Sequence, residues 1–181
     1  PYNEASINQI VQAAGIPRGS FYMYFRDKED LFRYLIQESM DALLLAFEEI
    51  LRRCGGDVFA ALPEMYDYLQ AHREWDRSLG GMGMMAAIAN CNGEDRSGGA
   101  LKFVDTELVL KRMEACVNPD LLDLRQPEDL DAILRMLMTL LGPVLYSGLQ
   151  PEPEPEGRAK LEQALKILQR GMGAKSMPGQ Q

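Results

Sequence analysis

The sequence predicts an all-α protein, and three observations carry that prediction. Leucine, methionine and alanine outweigh the β-branched residues, a balance that favours helix over sheet. Apolar residues recur at helical spacing along most of the chain, whereas alternating apolar–polar runs of strand length are absent. The apolar fraction is 46% of 181 residues, enough material for one large domain, or for a small one joined to a larger one.

Each helix has its own start and stop signals. Ser6 suits an N-cap, and Ile7, Ile10, Val11 and Ala14 fall on one face of a short helix ending near Ala14. Gly15 fits the left-handed position that ends a helix, Ile16 is placed to plug the turn, and Pro17 suits the start of the next helix, which runs to about Tyr24. Phe21 and Phe25 can dock on the first helix. Asp27 reads as the cap of a third, long helix with Asp30 in a capping-box position; an apolar stripe from Leu31 to Leu51 carries it to about Arg53, where Gly55-Gly56 ends it.

A fourth helix is expected from about Asp57 to Ala71, with Pro63 in an early turn or at a kink. The stretch "HREWDRSLGGMGMMAAIAN" reads as a helix interrupted near Gly80-Gly81, and "CNGEDRSGG" as a loop. Another amphipathic helix runs from about Ala100 to Val117, followed by the turn-rich connection "NPDLLDLRQPED". Pro127 then opens a helix to about Leu149 that is apolar almost all round, a pattern that requires burial on more than one side. "QPEPEPEG" is a Pro-rich spacer, the last helix spans about Arg158 to Met172, and "AKSMPGQQ" is a loose tail.

Charge is divided by region. The formal net charge is −8, whereas a nucleic-acid binder is often basic. In residues 1–35, however, Arg18, Arg26, Lys28 and Arg33 balance Glu4, Asp27, Glu29 and Asp30, and from Ile16 to Lys28 three basic residues face Asp27 alone, a net of +2. The whole deficit lies downstream, and the local field decides what a surface attracts. Cys54, Cys91 and Cys116 are odd in number and widely spaced, as expected of reduced thiols in a cytoplasmic protein. No signal-peptide pattern is present. The most apolar stretch, Ile133 to Leu149, is interrupted by Arg135 and Pro143 and is too short for a membrane span. Pro1 is not a translational start, so upstream residues are expected.

Two short helices joined by a tight Gly-Ile-Pro turn make a helix-turn-helix. In DNA-binding examples of this motif the second helix lies in the major groove and presents its N-terminal residues to the bases. The side chains suit that role. Arg18 can pair bidentately with guanine, Ser20 can bond a base edge or a phosphate, Gly19 permits close backbone approach, and the hydroxyls of Tyr22 and Tyr24 can reach phosphate. Lys28 begins the long helix, where free N–H groups also favour an anion. Helix-turn-helix shapes also occur as plain packing corners, and Arg26 and Arg33 serve equally well as solvated charges.

"ASINQIVQAAGIPRGSFYMYFRDKEDLF", residues 5–32, resembles the DNA-binding signature of the TetR family of transcriptional regulators. Ile7, Ile10, Ala14-Gly15-Ile16, Gly19-Ser20-Phe21-Tyr22, Tyr24-Phe25 and Lys28-Glu29-Asp30-Leu31 carry the resemblance, in one ungapped stretch. It implies an all-helical homodimer on double-stranded DNA with a palindromic operator, with an N-terminal DNA-binding domain at residues 1–36 and a ligand-binding and dimerisation domain at 37–181. The contacting positions map onto Arg18, Gly19, Ser20, Tyr22, Met23, Tyr24 and Lys28. Val11 stands where the family often has alanine, and the helix that precedes the motif in the family has no counterpart in residues 1–36.

The resemblance also implies a pocket for a small-molecule effector in the larger domain. By residue type its candidates are Met65, Tyr66, Tyr68, Trp75, Met82, Met85, Phe103, Met113 and Tyr146, most of which serve equally well as core. Glu64, Asp67 and Asp105 are candidates for neutralising a cationic ligand, and His72 is expected to be exposed. For dimerisation the candidates are Leu137, Leu141, Leu161, Leu165 and Leu168 on the last two helices, which can form a four-helix bundle with a symmetry mate or cover the chain's own core.

One histidine, scattered cysteines and no phosphate-cradling glycine loop leave no triad and no metal site, so no catalytic residue, metal or cofactor is expected. The reading is a ligand-responsive regulator, a repressor released from its operator by a small molecule. Its alternative is a helical small-molecule-binding or scaffold protein of the same fold that does not use DNA.

Overall fold

The computed structural model describes residues 6–72, 105–147 and 156–173. They form seven α-helices: α1 (Ile7–Ala13), α2 (Arg18–Tyr24), α3 (Lys28–Arg53), α4 (Val58–Ala71), α5 (Thr106–Glu114), α6 (Asp129–Ser147) and α7 (Gly157–Met172), with a 3-10 turn at Pro119–Leu121. Among the described residues the only β feature is an isolated bridge between Leu122 and Gly173. The all-helical fold expected from the sequence is the one observed. The expectations for residues 73–104, 148–155 and 174–181 lie outside the described residues.

The helix ends follow local chemistry. Ser6 caps α1 in a full capping box, its hydroxyl accepting from the Gln9 N–H while the Gln9 side chain accepts from the Ser6 N–H. Gly15, at φ 66°, ends α1 in a Schellman motif: its N–H donates to Gln12 O, and the Ile16 N–H donates back to Val11 O at 3.0 Å. That geometry turns the Ile16 side chain outward, so Ile16 is exposed rather than plugging the turn. Asp27 caps α3 through the Asp30 N–H. Asp30 does not complete a capping box; its carboxylate accepts from the Arg26 N–H at 3.0 Å.

Two starts differ from the sequence reading, and that of α7 falls within a residue of it. α5 begins at Thr106, because Asp105 is extended and caps the Leu108 N–H. α6 begins two residues after Pro127, because the Asp129 carboxylate accepts from the N–H groups of both Arg125 and Gln126 and so closes the preceding turn. α7 begins at Gly157, after Glu156.

α3 packs on α4 and α5, α4 on α6 and α7, α5 on α6, and α6 on α7. One core joins them, running from Phe32 through Leu51 of α3, Val58 through Leu69 of α4 and Val109 through Met113 of α5 to Leu134 and Leu161. Each fully buried leucine contributes about 1.5–3 kcal/mol. Val11 and Phe21 are buried outside this core, where α1 packs on α2. Along α6 the apolar pattern reads as buried all round, yet among its described side chains Ile133, Leu134, Leu137 and Leu141 are buried while Met136 and Leu140 are exposed.

Ion pairs tie the helices across their polar edges. Arg112 of α5 donates to Asp41 (2.9 Å) and Glu48 (2.7 Å) of α3. Arg135 of α6 donates to Glu107 of α5 and to Asp131, both at 2.8 Å, and Arg158 of α7 donates to Asp67 of α4 at 2.8 Å. At one end of the bundle the backbone itself crosses over: Asn118 N–H donates to Gly56 O at 2.9 Å, and Asp123 N–H to Met172 O at 2.8 Å.

Candidate nucleic-acid interface

The candidate surface is built on α2, a seven-residue helix with one buried side chain. Phe21 is 3% exposed and meets the rings of Tyr22 (5.4 Å, edge-on) and Phe25 (5.6 Å). Phe25 in turn meets Tyr34 of α3 at 5.8 Å. Burying Phe21 fixes the roll of α2 and thereby turns its neighbours outward. Tyr22 is 48% exposed, Met23 78% and Tyr24 77%. Two tyrosines and a methionine on one short helix make an exposed aromatic–apolar surface.

Arg18 opens α2 and is exposed. Its Nη1 donates to Asn8 Oδ1 of α1 at 2.7 Å, its Nη2 donates to Tyr22 Oη at 3.2 Å, and its guanidinium carbon lies 5.8 Å from the Tyr22 ring centre. Gly19 is exposed, and a Cβ there would meet nothing within 4 Å. Ser20 is half-buried, its N–H donating to Pro17 O. Lys28 is half-buried in the first turn of α3. Arg18, Gly19, Tyr22, Met23 and Tyr24 thus gather exposed on α2, with Ser20 and Lys28 at its margins. Beside them the Arg26 N–H holds the Asp30 carboxyl below its ordinary value, helped by the charges of Arg26 and Arg33.

Asn8 was not a candidate from sequence. It lies ten residues before Arg18, a separation that no helical period links, and only the folded turn brings the two together.

The pocket candidates fall into three groups. Met65, Tyr66 and Met113 lie in the core. Tyr68 is half-buried and stacks on His72 at 4.1 Å. Trp75, Met82, Met85 and Phe103 lie outside the described residues, as does the side chain of Tyr146. Tyr66 Oη and Thr106 Oγ1 are buried without a hydrogen-bond partner among the described residues. Glu64 is engaged by Arg53 at 2.7 Å, and Asp67 by Arg158. A cleft between α3 and α5, lined by Gln37, Met40, Leu44 and Val109 among others, holds about 160 Å³, below the range of a typical ligand pocket.

Of the five leucines offered for a dimer interface, Leu137, Leu141, Leu161 and Leu165 are buried in the chain's own core, and Leu168 packs against it. The reason is geometric: they form the inward stripe where α6 and α7 meet each other and α4. The apolar residues that these helices leave outward are Met136, Leu140 and Ile167.

No described helix is long and apolar enough to cross a membrane. Residues 1–35 match the family model described as "Bacterial regulatory proteins, tetR family". An HTH-type transcriptional repressor of Mycobacterium tuberculosis is 34% identical over 79 residues, 43% of this chain and 42% of the relative. An HTH-type transcriptional regulator of Staphylococcus aureus is 40% identical over 45 residues, 25% of this chain and 24% of its own length. The chain therefore spans less than half the length of these curated relatives. A TetR family transcriptional regulator from Chloroflexus aurantiacus, known from a crystal structure, aligns over 96% of this chain and 86% of its own at 27% identity, with a TM-score of 0.48. Residues 1–35 thus carry the helix-turn-helix of the tetR family of bacterial regulatory proteins, and the chain is similar to members of that family.

Proposed function

We propose that this protein is a DNA-binding transcriptional regulator that reads its operator with α2, and that it is a repressor released by a small molecule. One observation carries the reading: Arg18, Tyr22, Met23 and Tyr24 stand exposed together on a short helix whose orientation is fixed by the burial of Phe21. Arg18 supplies base recognition, while Tyr24, Ser20 and Lys28 supply backbone contacts that set register. Residues 1–36 form the DNA-binding unit, and residues 37–181 the part that dimerises and takes the effector.

A homodimer would place two α2 helices about 34–36 Å apart, or a multiple of that, over successive major grooves of a palindromic site. The outward apolar residues of α6 and α7, Met136, Leu140 and Ile167, are the surface for it. For the effector, support comes from Tyr66 Oη and Thr106 Oγ1, which are buried without a hydrogen-bond partner among the described residues, since a buried hydroxyl left unpaired is costly and a polar ligand atom relieves that cost. Coupling of about 1–3 kcal/mol between effector and DNA changes affinity about 5- to 150-fold.

Titrating the full-length protein against the DNA upstream of its own gene, at several salt concentrations, tests the reading. Selective binding whose affinity falls with salt is expected. Equal affinity for that DNA and for unrelated duplexes would overturn it.

A further inference from the structure

We propose that Asn8 and Tyr22 are positioning residues that hold Arg18 in its reading orientation, so that α1 contributes to sequence choice without touching a base. The inference rests on the DNA-binding reading of α2 and deepens it. Arg18 is exposed, and a free arginine side chain samples many rotamers that a base contact must freeze. Here two groups hold it beforehand, the Asn8 amide oxygen at 2.7 Å and the Tyr22 hydroxyl at 3.2 Å, with the Tyr22 ring beneath the guanidinium. Ordering a group before binding lowers the cost of ordering it on binding.

The chemistry of the two partners matters. A carboxylate at position 8 would offset the arginine charge and repel phosphate. An amide and a phenol hold the guanidinium with its charge intact. They also leave donors to spare. Arginine carries five N–H groups; one donates to Asn8 and one to Tyr22, which leaves three, and a guanine contact through O6 and N7 needs two. The assembly is held across the turn, because Asn8 belongs to α1 and Arg18 to α2. The capping of α1 by Ser6 and Gln9 and the left-handed Gly15 therefore set the distance between them.

The test starts from the duplex that the full chain selects out of a randomised double-stranded library. Its affinity is divided by that for a scrambled duplex of the same composition. Asn8→Ala is expected to lower this ratio about tenfold while changing affinity for the scrambled duplex less than about twofold. Asn8→Asp keeps the acceptor oxygen and adds a negative charge, so it is expected to weaken both duplexes alike and to preserve the ratio. Tyr22→Phe keeps the ring, loses the hydroxyl and lowers the ratio in the same direction as Asn8→Ala. In an Arg18→Ala background, Asn8→Ala is expected to add nothing. An unchanged ratio in Asn8→Ala overturns the proposal. So does an equal loss on both duplexes that persists without Arg18, which would make Asn8 a phosphate contact in its own right. If the unaltered chain enriches no sequence, the regulator reading itself falls, an outcome distinct from both.

Discussion

At the scale of single residues, the glycines separate two physical demands. Gly15 and Gly56 both hold left-handed backbone, at φ 66° and 79°. A Cβ on Gly15 meets nothing within 4 Å, whereas one on Gly56 would meet Asn118 N at 2.5 Å. Gly15→Ala should therefore cost about 1 kcal/mol of backbone strain. Gly56→Ala should cost at least about 2 kcal/mol more, because the Asn118 N–H bond to Gly56 O must also give way. Urea unfolding of the two variants measures the difference, and equal losses would show that the Asn118 contact yields freely. The interface residues make a second pair. Lys28→Ala should weaken binding to every duplex alike and lower the salt slope by about 1, whereas Arg18→Ala should relax sequence preference by about 1–3 kcal/mol. An equal loss on all sequences for Arg18→Ala would remove it from base reading. Much of this candidate surface was legible in the sequence, since α2's residue types and the Gly-Ile-Pro turn are local. Asn8 was not legible, because its hydrogen bond with Arg18 crosses the turn.

At the scale of elements, caps and ion pairs set boundaries that periodicity leaves open. The sequence places the start of α6 at Pro127, and the carboxylate of Asp129 moves it, because two N–H donors converge on one oxygen. Those donors, Arg125 before Gln126, hold the Asp129 carboxyl below the usual carboxylate range. A depressed carboxylate contributes stability that is present above its ordinary value and is lost as pH falls through the lower, folded value. Below about pH 4, Asp129→Asn should therefore flatten the loss of stability on acidification relative to the unaltered protein. Urea midpoints measured from neutral pH downward check this; parallel curves would mean that the turn does not sense the charge. Arg112 is a different case. It is half-buried against Glu48, also half-buried, and also reaches Asp41. Arg112→Ala should cost about 1–3 kcal/mol, since it leaves Glu48 without its partner, whereas Arg52→Ala removes only an exposed pair with Glu49 and should cost less than about 1 kcal/mol. Nothing in the spacing of charges along α3 and α5 forecasts the Arg112 pairing, because its partners lie 64 and 71 residues away in sequence.

At the scale of the whole molecule, the helix inventory of the described residues was legible because apolar spacing and turn chemistry agree along them. Which leucines face inward was not. α6 is apolar on nearly every side, so its pattern does not choose between the chain's own core and a partner, and packing against α4, α5 and α7 makes the choice. Met136 and Leu140 remain outward on α6 and Ile167 on α7. On the proposed dimer, Leu140→Arg should yield monomers in sedimentation and weaken operator binding about 100-fold or more, since each half-site then binds alone. A variant that still sediments as a dimer would place the interface elsewhere.

α3 ends where the backbone crosses over: Gly56 is bonded to Asn118, and Arg53 is paired with Glu64. The helix is 26 residues long, and its other end begins at Lys28 beside the reading helix. At about 1.5 Å per residue this is a rod about 39 Å long, and the core grips it from Phe32 to Leu51. A tilt of about 5° about its Arg53 end would swing Lys28 through about 3 Å, close to the rise of about 3.4 Å for a single base-pair step. On the proposed dimer, a repacking around Phe32 and Ile36 would then be sufficient to put the two halves out of register with their site.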